Sequence, residues 1–144
     1  MLFIYLNCVL NYMKLVYLPL LLCLCLLSPA ARAQDPIDNI ATMLKHSDVH
    51  GLTALLAPTV EITMMDNEDT YSKRQAADVL TKFFAAHKPL KVSLLHKVNS
   101  NPNYLFGVLI INTDKGNYRL AVTLKDIDGK PELIEFRLES EKVK

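Results

Sequence analysis

Three residues carry side chains that could do acid–base chemistry if the fold brought them together. His96 stands in the alternating run Leu94-x-His96-x-Val98, so on a strand its imidazole would share an apolar face and could be the titratable group of a pocket. Tyr118 opens a second alternation with Leu120, Val122 and Leu124, and a phenol there could polarise a carbonyl. Asp66 continues the face of Val60, Ile62 and Met64, which would put a carboxylate at the rim of whatever those residues line. Met64 and Phe136 complete the ligand pocket that this pattern allows. Each residue also has a plain structural role: a lone buried histidine is usually hydrogen-bonded in a core, and a turn aspartate bonds its own backbone.

Two further groups invite a metal and fail on spacing. Asp66, Glu68 and Asp69 lack the glycine of a calcium loop, and Ala77 stands where the closing glutamate is needed. His46 and His50 bracket Asp48 as zinc ligands would on one helix, but Ser47-Asp48 breaks and restarts the helix there. No metal and no cofactor is therefore expected.

The elements that must position these residues follow from periodicity. Asp35 as N-cap and Pro36 at the first helical position open a helix with Ile37, Ile40, Ala41 and Leu44 on one face. Ser47-Asp48 caps a second short helix through Leu52, Leu55 and Leu56, stopped by Ala57-Pro58. From Thr59 the period changes to two; Asp66 to Asp69 reads as an acidic turn, and Ser72-Lys73-Arg74-Gln75 as a capping box for a helix with Ala76, Val79, Leu80, Phe83 and Phe84 on one face. Lys88-Pro89 ends it. An antiparallel meander of four strands remains, turned at Asn99 to Asn103, Asp114-Lys115-Gly116 and Asp128-Gly129. Its inward residues are expected to be Val92, Leu94, His96, Val98, Tyr118, Leu120, Val122, Leu124, Ile134, Phe136 and Leu138. No carboxylate is among them.

The first 33 residues read differently. Met13-Lys14 begins a basic start, Leu15 to Leu27 is apolar, and Ser28-Pro29-Ala30-Ala31-Arg32-Ala33 ends in the small-x-small pattern of a secretory cleavage site before Gln34. Met13 is the expected true start, and residues 34–144 form one domain, exported to the periplasm or the medium, without stable membrane insertion after cleavage. All three cysteines, Cys8, Cys23 and Cys25, belong to the leader, so the mature chain can form no disulfide. From Gln34 on, fourteen basic side chains face fifteen acidic ones, and that balance points to no nucleic-acid partner.

The order helix, helix, strand, helix, four strands, with the strand, acidic turn and capped helix of Val60 to Phe84, resembles the nuclear-transport-factor-2-like (cystatin-like) superfamily. The runs VEITMMDNEDTYSKRQA and AQDPIDNIA are similar to the secreted bacterial family named Domain of Unknown Function 4783. The resemblance implies an α+β cone, a curved antiparallel sheet wrapped on three helices and often paired across the sheet. It carries over no catalytic residue. The superfamily's enzymes place an acid or base inside the cone; here the inward set offers only His96 and Tyr118.

The strand Tyr104 to Ile111 is apolar on both faces, which calls for a covering layer. Either the chain itself buries a central strand, or a homodimer covers it through Tyr104, Phe106, Val108 and Ile110 or, if Gly107 shifts the register, through Leu105, Leu109 and Ile111. The functional expectation is a non-catalytic domain that binds a small apolar ligand or a protein partner. The alternatives are an enzyme using His96 with Tyr118 or Asp66, and an assembly protein of the cell envelope.

Overall fold

Asp35 starts the first helix as its residue type demands: the carboxylate accepts the Ile37 N–H at 2.9 Å, and Pro36 sits in the first turn of α1 (Pro36–Lys45). This computed structural model describes residues 1–11, 13 and 34–141. The expected leader core at Leu15 to Leu27 and the cleavage stretch Ser28 to Ala33 lie outside the described residues. Residues 2–11 are helical, and no helix among the described residues is long and apolar enough to cross a membrane. Met1–Ala33 and Gln34–Lys144 are two separate compact units.

In the second unit Asp48 accepts the Gly51 N–H at 2.8 Å and caps α2 (Val49–Ala54). Strand β1 (Leu56–Met64) turns through Met65 and Asp66 into β2 (Asn67–Ser72), with Met65 at φ 56°. Ser72 and Gln75 exchange both bonds of a capping box and open α3 (Lys73–Ala86). The chain then runs through β3 (Pro89–Asn101), β4 (Tyr104–Thr113), β5 (Gly116–Ile127) and β6 (Lys130–Ser140). The six strands lie in the order β2-β1-β6-β5-β4-β3, all antiparallel except the pair β1–β6.

One face of this curved sheet carries the helices. Ile37, Ile40 and Leu44 of α1, Leu52 of α2 and Ala76, Leu80 and Phe84 of α3 pack with Ile62, Leu109, Ile111, Leu120, Leu124, Phe136 and Leu138 of the strands. Phe136 is fully buried, its ring edge-on to Phe84 at 6.4 Å. Helix α1 lies close against the sheet at Gly107, where an added Cβ would stand 2.6 Å from Cγ2 of Ile37. A few residues away Lys97 reaches across from β3 to Asp35 at 2.9 Å and Asp38 at 3.3 Å.

The strands depart from simple alternation in several places. The acidic turn shrinks to Met65-Asp66, and Asn67 to Ser72 is an added edge strand, exposed apart from Tyr71 and held to β1 by its backbone ladder. Helix α2 ends before Pro58, which lies within β1 where the ladder to β6 breaks between Leu56 and Glu61. In β3, Leu94 pairs with Leu109 but His96 pairs with Val108, so Leu95 is the extra residue of a bulge. In β6, Glu135 pairs with Thr123 and Leu133 with Leu124, which makes Ile134 the extra residue. Leu133 is therefore the fully buried side chain, and the expected inward place of Ile134 is corrected to a half-buried one.

Replacing Gly107 with Ala forces Ile37 to move, and a destabilisation of about 1–3 kcal/mol is expected from overpacking, read from urea denaturation. A second test concerns the Lys97 pair. Partial burial pushes the Asp35 carboxyl up, but the Lys97 hydrogen bond, the Ile37 and Asp38 N–H groups and the Lys97 charge together hold it below the usual carboxylate range. The hydrogen bond to Asp35 raises Lys97, with desolvation opposing and Asp38 assisting. The stabilisation from Asp35 is thus present above its unfolded value of about 3.9 and lost as pH falls through the lower folded value; that from Lys97 is present below about 10.4 and lost as pH rises through its higher folded value. The urea midpoint of Lys97→Met should fall below that of the parent at neutral pH, and the gap should close at about pH 2.

Candidate functional site

The residues expected to share a pocket are not gathered into one. His96 is exposed, and because Leu95 bulges, its ring stands on the sheet face away from the helices, beside Val108; its expected inward position, and that of Val98 two residues on, are corrected by this one extra residue. Asp66 is exposed in the two-residue turn, and Met64 is half-buried against the core. Tyr118 is on the inner face, 8% exposed, and Phe136 is buried deeper in the same core.

Tyr118 has a different histidine for a neighbour. His87, the C-cap of α3, stacks on Phe83 with centroids 4.2 Å apart, and both rings meet Tyr118 edge-on at 5.6 Å. Its Nδ1 lies 3.1 Å from the Phe83 carbonyl, to which it can donate, so the imidazole helps to close the helix end. The position of His87 just before Lys88-Pro89 was the available signal: a histidine in the last turn can serve the final carbonyls.

The outer face of the sheet holds the more distinctive arrangement. Pairing places Glu68, Thr63, Arg137, Ala121, Val108 and His96 in one row across all six strands. On one side runs Thr70, Glu61, Glu135, Thr123, Phe106 and Val98; on the other, Glu139, Arg119, Ile110 and Ser93. The rows are charged over β6 and β1 and apolar over β4, where Phe106, Val108 and Ile110 form a column extended by Tyr104, itself 39% exposed. Leu105, Leu109 and Ile111 point to the core, which settles which alternate set of β4 faces outward.

Ala121 sits at the border of the two halves. Being small, it leaves a hollow of about 370 Å³ walled by Phe106, Val108, Arg119, Arg137 and Glu139. Arg137 is braced by Glu135 at 3.5 Å and Glu68 at 3.9 Å, and Glu135 in turn accepts the Thr123 hydroxyl at 2.7 Å. A second hollow of about 310 Å³ lies at the ends of α2 and α3, against Ser47, Val49, Phe84 and Lys88. Neither is lined by His96, Tyr118, Asp66, Met64 or Phe136.

These placements separate the two kinds of residue experimentally. His96→Ala should leave stability within about 0.5 kcal/mol of the parent, as for an exposed surface position. Phe136→Ala should cost about 3–5 kcal/mol, both measured by chemical denaturation.

The match to known proteins agrees with this architecture. The model of the family described as "Domain of unknown function (DUF4783)" matches residues 37–139. A DUF4783 family protein from Bacteroides uniformis is 18% identical with a TM-score of 0.71, covering 76% of this chain and 100% of that one. Its counterpart from Bacteroides ovatus is 17% identical with a TM-score of 0.69, covering 72% and 94%. The designed protein Rd1NTF2_04 with long sheet is 17% identical with a TM-score of 0.57, covering 70% and 94%. No curated protein matches. With the family model spanning both the helical layer and all six strands, this chain belongs to the DUF4783 family and has the nuclear-transport-factor-2-like fold.

Proposed function

We propose that this protein is an exported, non-catalytic binding domain that works through the outer face of its sheet, with a second copy of the chain as its partner. The observation that carries the reading is the apolar column Phe106, Val108 and Ile110 on the face opposite the helices, beside the hollow over Ala121. Val108 is only 7% exposed in the single chain and Phe106 and Ile110 are half-buried, so the part of the column that favours a covering layer is its exposed margin at Phe106, Ile110 and Tyr104. The same face bears both arginines and glutamates beside the apolar column, and opposite charges on one surface suit the self-complementarity a two-fold contact needs. A contact centred on β4 sets column against column and leaves the charged rows of β6 and β1 at its rim, the polarity pattern of protein interfaces.

Between the two ligand classes, the packing favours a protein partner over a small apolar molecule. Phe136, Leu120, Leu124, Leu133 and Leu138 are fully buried where an internal ligand would lie. The proposed acid–base set is spread over opposite faces of the sheet, which weighs against the enzyme reading: His96 is outside, Tyr118 inside and Asp66 in the exposed turn. The leader pattern ending at Ala33 supports export to the periplasm or the medium.

Sedimentation velocity on residues 34–144 at high micromolar concentration should give a dimer, and Tyr104→Asp, at the exposed end of the column, should shift it towards monomer with an unchanged far-ultraviolet spectrum. A compact monomer for the parent chain at that concentration removes the second copy as partner.

A further inference from the structure

We propose that the exported protein begins with a pyroglutamate, formed by cyclisation of Gln34. The inference rests on the reading of residues 1–33 as a cleaved leader and concerns the chain end that cleavage creates. Cutting after Ala33 frees the α-amino group of Gln34. That nitrogen attacks the side-chain Cδ; the new N–Cδ bond closes a five-membered lactam, the Cδ–Nε2 bond breaks, and the amide nitrogen leaves as ammonia with the proton lost by the amine. No oxidant, metal or second substrate is required.

The surroundings of Gln34 suit this step. It is exposed and stands before α1, outside regular structure, so its side chain can close the ring without disturbing the helix. The carboxylate next in sequence is already occupied: Asp35 accepts the Ile37 N–H at Oδ1 and Lys97 at Oδ2, both at 2.9 Å. The boundary between the two compact units also falls between Ala33 and Gln34.

The modification has a structural use. The new chain end, Gln34, is bonded directly to Asp35, which is at once the N-cap of α1 and the partner of Lys97. Loss of Gln34 to an aminopeptidase, which the Asp35–Pro36 bond would then stop, would set a free α-ammonium directly on Asp35, beside the carboxylate that makes both interactions. A lactam offers such an enzyme no amine to bind.

The test is intact-mass spectrometry on residues 1–144 expressed in an exporting bacterial host and recovered from outside the inner membrane, with chemical labelling of N-terminal amines. The expected product has the mass of residues 34–144 less one ammonia and takes no label. Gln34→Ala should show no ammonia loss, take the label and be trimmed faster by added aminopeptidase. A chain that starts at Gln34 with a labelled amine overturns the cyclisation but leaves the cleavage standing. A retained leader or another first residue overturns the cleavage, and the proposal with it.

Discussion

The contact between Ile37 and Gly107 is the constraint on which the layers of this domain depend. A helix can lie this close to a strand only where the strand has no Cβ, and the register that places Gly107 inward places Leu105, Leu109 and Ile111 inward with it. Phe106, Val108 and Ile110 are left on the opposite face by the same parity. Lys97 reinforces the arrangement from the next strand, pairing with Gly107 and reaching Asp35 and Asp38 at the start of the helix. The outer apolar column is thus the other side of the packing that builds the core.

Bulges do the remaining work on the sheet. The extra residues Leu90 and Leu95 in β3 are the most exposed large apolar side chains of the strands, at 68% and 56%. Both interrupt the free edge of a thirteen-residue strand, where an unbroken ladder would invite another chain to add on. Bulges at an edge therefore protect it from strand addition while exposing apolar side chains. At the other edge, β2 is short and carries Glu68 and Asp69, a second means to the same end.

Much of this architecture is legible in the amino-acid sequence. Asp35, Asp48 and Ser72 cap the helices they were expected to cap, because capping chemistry is settled within a few residues of chain. The alternation from Tyr118 to Leu124 held through its whole length, and Phe136 and Leu138 are buried as their spacing implied. The strand β2 was not legible, since NEDTYS has no apolar alternation and is held by backbone bonds that every residue type can make. His96 was misplaced by one residue of bulge, and Ile134 by another; each slip of one turns a side chain to the opposite face.

What the sequence by itself determined is therefore local: which segments are helices, where they are capped, where the chain turns, and that β4 is apolar on both faces. Tertiary structure decided the faces. Whether Leu95 is a paired residue or an extra one is defined only against Val108 and Leu109 on the neighbouring strand, and whether Phe106 or Leu105 faces out is defined only once Ile37 lies on Gly107. Because a strand's side chains repeat every two residues, one unpaired residue inverts all that follow until the next, and the partner strand that sets the count is distant in sequence.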